Sequence, residues 1–132
     1  MDAAKIWSLN YRLLMSVLGS VASELAALGL EPKELFLLSE VDANPHPAAL
    51  ASALCMPKPT VTVYLKRLES AGFVRRDIDP ADLRRHRLTL TPMGRLVMQS
   101  GQDLLMKVFG ERLGRLDKQE QAQLQTLLEK MG

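Results

Sequence analysis

The hydrophobic spacing of this chain changes twice, and the two changes confine one short β-unit to an otherwise helical sequence. Up to Gly72 apolar residues recur every three or four positions. From Phe73 they alternate, and from Pro92 the helical spacing returns. The alternating stretch reads as two strands, Phe73–Ile78 and His86–Thr91, joined by the polar connection 79–85, so a β-hairpin with an extended tip is expected. A lone hairpin cannot bury both its faces and must lean on helices. Those helices need a core of Leu, Val, Met and Ala, because aromatic residues make up only 5% of the 132.

The first helix is read from Ile6, Leu9, Leu13, Leu14, Val17, Leu18, Val21, Leu25 and Leu28, with Gly29 closing it. Glu31-Pro32 opens a second, whose expected buried side is Leu35, Phe36, Leu38 and Val41, and Asn44-Pro45-His46-Pro47 ends it. A third covers Pro47 to Leu54 and a fourth Lys58 to Ala71, with only Cys55-Met56-Pro57 between them. After the hairpin a long helix and a last one near Lys118–Met131 complete the chain. Neither an internal repeat nor a long linker divides it, so 1–132 is expected as a single domain.

Two helices meeting across a three-residue turn form a helix-turn-helix, which restricts the residues at the crossing. Ala51 is small where the second helix comes nearest, and Val61, Leu65 and Leu68 recur on one face of that helix, with Tyr64 beside them. Lys58, Thr62, Val63, Lys66 and Arg67 remain for the outer face. Cations, a hydroxyl and a methyl-bearing side chain on a projecting helix suit a DNA major groove, where phosphates, base edges and the thymine methyl are offered. An ordinary helical corner with a solvated face is the alternative.

Net charge is only +2, but it is unevenly spread: Pro57–Arg95 holds nine basic residues against four acidic ones, and the remainder is net acidic. Arg84 and Arg85 are expected at the hairpin tip, far from any core. Exposed ion pairs contribute only about 0–1 kcal/mol, so stability alone gives such arginines little purpose, whereas a narrow minor groove gives them one. Asp79 and Asp82 are expected to orient neighbours rather than touch nucleic acid, Asp82 by pairing with the guanidinium of Arg84 or Arg67.

The run Leu50–Thr62, continued by Leu65–Arg76, together with Asp79-Pro80-Ala81-Asp82-Leu83-Arg84-Arg85 and Leu88-Thr89-Leu90-Thr91-Pro92-Met93-Gly94, resembles the MarR (multiple antibiotic resistance regulator) family. The resemblance implies a mainly α fold with a small β-hairpin wing: a winged helix-turn-helix lobe at 31–94, flanked by dimerisation helices at 1–28 and 95–132. It also implies a cytoplasmic bacterial or archaeal homodimer that reads a pseudo-palindromic double-stranded operator, usually as a repressor released by a small ligand or oxidant. Carried over residue by residue, Lys58, Thr60, Thr62, Val63, Lys66 and Arg67 face the major groove through helix 58–71. Arg84, with Arg85 next to it, serves the minor groove through wing 73–91. Three positions depart from the family pattern: Pro57 stands where Ser or Thr usually caps the recognition helix, Val63 where Arg or another polar residue is common, and Cys55 where the turn commonly holds Gly.

The remaining chemistry-bearing residues carry less. Cys55 is expected as an inert, partly buried thiol, and one cysteine makes neither an internal disulfide nor a cysteine-rich metal site. His46 and His86 lack the spacing of a metal site; His86 is expected to pack on the wing or flank the DNA backbone. Neither a catalytic constellation nor a glycine-rich phosphate loop is present, so no enzyme and no cofactor is expected. No run of about 18 apolar residues suggests a membrane span. The long terminal helices present more apolar stripe than the lobe between them can cover, which calls for a twofold partner. A winged helix used for protein contacts, with a merely solvated basic wing, is the reading of a different class.

Overall fold

The computed structural model describes residues 1–132. Six helices and one hairpin follow in the order α1 (Ala3–Ala27), α2 (Pro32–Glu40), α3 (Pro47–Leu54), α4 (Lys58–Ser70), β1 (Val74–Asp79), β2 (Asp82–Leu90), α5 (Pro92–Leu113) and α6 (Lys118–Met131). The helix starts are locally encoded. Asp2 and Asp117 accept the N–H groups of Lys5 and Glu120 at 2.9 and 2.8 Å. Pro32, Pro47 and Pro92 each stand in a first turn, where the missing N–H leaves no helical bond unmade. Gly29, at φ 82°, turns the chain from α1 towards α2.

One core holds the lobe together. Val21 and Leu25 of α1, Leu35, Leu37 and Leu38 of α2, and Val61, Leu65 and Leu68 of α4 are all at most 1% exposed, and Phe73, Val74, Leu88 and Leu90 close the cluster from the hairpin. On α2 the buried side includes Leu37 rather than Phe36, which is half-buried and turned towards α1 and α5. The crossing of α5 over the lobe requires glycine at two positions. A Cβ on Gly94 would stand 1.9 Å from the Phe73 carbonyl oxygen, and one on Gly101 2.8 Å from Leu35 Cδ1. Thr91 secures the same junction, accepting the Gly94 N–H at 3.0 Å and donating its hydroxyl to the Gly72 carbonyl.

The ends of the chain are bare. No residue of α6 is buried, and on the first half of α1 Ile6, Trp7, Leu9, Tyr11 and Leu14 are all more than half exposed. Between α1, α2, α5 and α6 lies an apolar cavity of about 320 Å³ lined by ten hydrophobic residues and Asn10.

The hairpin departs from the expected extended tip. Asp79 pairs directly with Asp82, so Pro80-Ala81 is a two-residue turn and β2 begins four residues before His86. The surplus residues Leu83-Arg84-Arg85 form a bulge between the pairs Asp79–Asp82 and Ile78–His86. Polar composition suggested a loop at 79–85; the buried Asp79 instead folds this segment onto the sheet. Cys55 is also a correction. Its thiol is exposed, because the residue is the left-handed corner between α3 and α4, at φ 52° and ψ 41°.

Candidate nucleic-acid interface

Helix α4 buries Val61, Leu65 and Leu68, which leaves Lys58, Thr62, Val63, Lys66 and Arg67 exposed and Thr60 half-buried. Val63 is 64% exposed, a bare apolar side chain among cations. The Thr62 hydroxyl donates back to the Lys58 carbonyl at 3.0 Å, so its free lone pairs suit an incoming donor. Pro57 caps the helix without a side-chain bond, so the first-turn N–H groups, of which Pro59 has none, are left without a hydroxyl cap.

Arg67 belongs to a second network. Its guanidinium lies 3.0 Å from Glu34 Oε1 and 3.5 Å from Glu31 Oε1, both at the start of α2. The Glu34 carboxylate is 1% exposed and also accepts the Glu31 N–H at 2.8 Å. Tyr64, one turn away from Thr60, is partly buried beside Glu31, and that burial, reinforced by the carboxylate, raises its phenol above the ordinary value. Arg67, read in the sequence as a groove contact, thus joins α4 to α2 while remaining half exposed.

Asp79 organises the wing. Its carboxylate is 3% exposed, accepts the Ala81 N–H at 2.8 Å through Oδ1 and faces Arg85 Nε at 3.1 Å and His46 Nε2 at 3.4 Å through Oδ2. The Ala81 N–H, reinforced by the neighbouring cations, holds its carboxyl below the ordinary range against the opposing effect of burial. Asp82 accepts the backbone N–H of Arg84 at 3.0 Å and pairs with no guanidinium, contrary to expectation. It shapes the bulge and leaves the Arg84 side chain free.

Of the nine cations in the basic segment, five are matched to carboxylates. Arg67 pairs with Glu34 and Glu31, Arg75 with Asp77, Arg76 with Glu69, Arg85 with Asp79 and Arg95 with Asp42. Lys58 and Lys66 of α4 and Arg84 and Arg87 of β2 have no carboxylate within 4 Å. Arg87 was not singled out in the sequence; its alternation with buried Leu88 on an exposed strand face is the signal that marks it.

A helix-turn-helix crossed by α5 and completed by a two-stranded wing defines a winged helix-turn-helix protein. Comparison with known proteins agrees: the MarR family model matches residues 31–86. The transcriptional regulator HosA of Escherichia coli O111:H- is 39% identical over 83 residues, spanning 63% of this chain and 62% of HosA, so the match covers somewhat under two thirds of that relative's length. The HTH-type transcriptional repressor Rv2887 of Mycobacterium tuberculosis is 28% identical over 99% of this chain and 96% of its own. Its structure in complex with salicylic acid superposes with a TM-score of 0.74 over 94% of this chain and 93% of that one. The repressor CouR, bound to a 23-mer DNA duplex, is 25% identical, with a TM-score of 0.81 over 99% of this chain and 92% of CouR. The similarity to the MarR family is carried by the helix-turn-helix lobe and most of the wing, residues 31–86.

Proposed function

We propose that this chain is a sequence-specific double-stranded DNA-binding transcriptional regulator, a repressor acting as a homodimer in the cytoplasm. The observation that carries the reading is the distribution of unpaired cations: every one in the basic segment lies on the outer face of α4 or on β2 of the wing. Lys58 and Lys66 serve phosphates flanking the major groove, Thr60, Thr62 and Val63 meet base edges or the thymine methyl, and Arg84 enters the minor groove with Arg87 on the backbone. Arg85 acts through the wing it braces. CouR, seen on a DNA duplex, and HosA and Rv2887, named as regulators, support the assignment.

The homodimer follows from the bare apolar faces of α1, α5 and α6, which a second copy would bury. The dimerisation helices are then 1–28 and 95–132 around a lobe at 31–94. An effector of small, mainly apolar character fits the cavity between α1, α2, α5 and α6, whose volume falls in the range of ligand pockets, and the salicylic acid complex of Rv2887 supports this part. Selecting bound sequences from a random duplex pool tests the whole reading. Two half-sites about 34 Å apart centre to centre are expected. Failure to enrich any sequence, with binding that ignores salt, would instead favour a protein-contact role for the exposed Val63 and Leu83.

A further inference from the structure

His46 caps α3 from the loop between α2 and α3, yet its ring is turned away from the helix and into the wing. Nδ1 lies 3.0 Å from the His86 carbonyl oxygen, and Nε2 lies 3.4 Å from Asp79 Oδ2. Both partners are acceptors. A neutral imidazole carries one N–H, so either neutral tautomer leaves a nitrogen lone pair beside a carbonyl or a carboxylate oxygen; only the imidazolium offers an N–H on both sides, Nδ1 to the hydrogen-bonded carbonyl and Nε2 at ion-pair distance from Asp79. Next to it the Leu88 N–H donates to the Pro45 carbonyl at 2.7 Å, so the backbone just before His46 is tied to β2.

We propose that His46, in its doubly protonated form, is a positioning residue that fastens the wing to the helix-turn-helix lobe, so that DNA affinity falls as the ring loses its proton. It rests on the DNA-binding reading above. The groups facing the ring are few. Asp79 stands at the wing turn with Arg85 on its far side, and His86 offers its carbonyl. The His86 ring accepts from Arg76 at 3.4 Å, and Arg76 is held by Glu69 of α4. Helix α3 carries no titratable side chain. Deprotonation leaves Asp79 with Arg85 as its one cation beside the Ala81 N–H and sets a lone pair beside one of two oxygens, loosening the turn that carries Arg84. The sign follows: the fastening needs a protonated ring facing an ionised Asp79, so it weakens as rising pH removes the ring proton.

The test is binding of a fluorescein-labelled duplex, recovered from a random pool, across about pH 5 to 8 at fixed ionic strength, where histidine titrates. Wild-type affinity is expected to fall about fivefold over that range, the low end of ordinary coupling between sites. His46→Gln is expected to bind weakly with a flat profile. The only other histidine is His86, and His86→Gln is expected to keep the slope. A flat wild-type profile, or an unchanged slope in His46→Gln, overturns the proposal while leaving DNA binding intact. A wild-type chain that binds no duplex at any pH defeats the DNA reading instead. Amide hydrogen exchange in the free protein then still decides on His46. Protection of Ala81 and Leu88 should decline with pH beyond the intrinsic exchange trend in the wild type and be low throughout in His46→Gln; protection that ignores both changes overturns it.

Discussion

The same substitution made twice in α5 is expected to act with opposite sign. At Gly94 a methyl group would overlap the Phe73 carbonyl oxygen; that oxygen is backbone and a Cβ is fixed by its own backbone, so neither can rotate away. A carbon and an oxygen need well over 3 Å, and α5 must therefore withdraw by more than an ångström. Withdrawal strains three bonds that meet there: Gly94 N–H to Thr91 Oγ1, Thr91 Oγ1 to the Gly72 carbonyl, and Thr91 N–H to the Phe73 carbonyl. At about 1 kcal/mol each, roughly 3 kcal/mol is at risk. Alanine's preference for helix over glycine returns about 1 kcal/mol, so Gly94→Ala should cost about 2 kcal/mol or more. Gly110 has nothing within 4 Å of its Cβ position, and Gly110→Ala should gain up to about 1 kcal/mol. Urea unfolding followed by circular dichroism, at one fixed protomer concentration because a dimer's stability depends on it, measures both. A Gly94→Ala midpoint at or above the wild type would refute the close approach of α5 to Phe73.

Cys55→Gly should stabilise the chain by about 0.5–1 kcal/mol in the same assay, since the left-handed backbone costs a side-chain-bearing residue about 1–2 kcal/mol and glycine's flexibility offsets part of the relief. Acid should loosen the wing: the Asp79 carboxyl is held below its ordinary value, so its contribution is present above about pH 4 and is lost as pH falls through the lowered value, and Asp79→Asn should remove that dependence from Ala81 amide exchange. Arg84→Ala should weaken duplex binding by about 1–3 kcal/mol. Arg67→Ala should instead cost about 1 kcal/mol of stability, a modest figure because the guanidinium is half exposed, and leave the salt dependence of binding unchanged. A salt slope reduced by about 1 in Arg67→Ala would show that the pair with Glu34 opens on DNA.

Period, proline and glycine placed all six helices and the existence of the hairpin, because the helix boundaries are written in neighbouring residues such as Asp117 or Thr91. The errors arose where a distant partner overrode local composition. Asp79-Pro80-Ala81-Asp82 has the polarity of a long loop, and nothing adjacent reveals that Asp79 is buried against Arg85 and His46, the latter 33 residues earlier. Arg67 shares the exposed face of α4 with Lys66, and only the fold brings Glu34 to it. Phe36 was assigned inward by hydrophobicity alone, while the helix turn placed Leu37 there. The exposed face of α4 was legible, since Lys58, Thr62, Val63 and Lys66 are fixed by the three buried residues that alternate with them.

Counting charges along the sequence overstates the electrostatic footprint, and the structure shows by how much. Every acidic residue in the basic segment is engaged. Glu69, Asp77 and Asp79 each hold an arginine, and Asp82 holds the Arg84 backbone. Glu34 and Asp42 from outside it neutralise Arg67 and Arg95. An arginine already paired releases no counterion unless its partner is first displaced, so only Lys58, Lys66, Arg84 and Arg87 should count towards salt dependence. Each neutralised phosphate contributes about 0.9 to the slope of log affinity against log salt, so a dimer using four cations per protomer gives about 7 at most, whereas all nine would give about 16. Fluorescence anisotropy of a labelled duplex, titrated over several chloride concentrations, separates the two. A slope well above 7 would mean that the ion pairs of the lobe open on the duplex, and the division between bracing and binding arginines would fail.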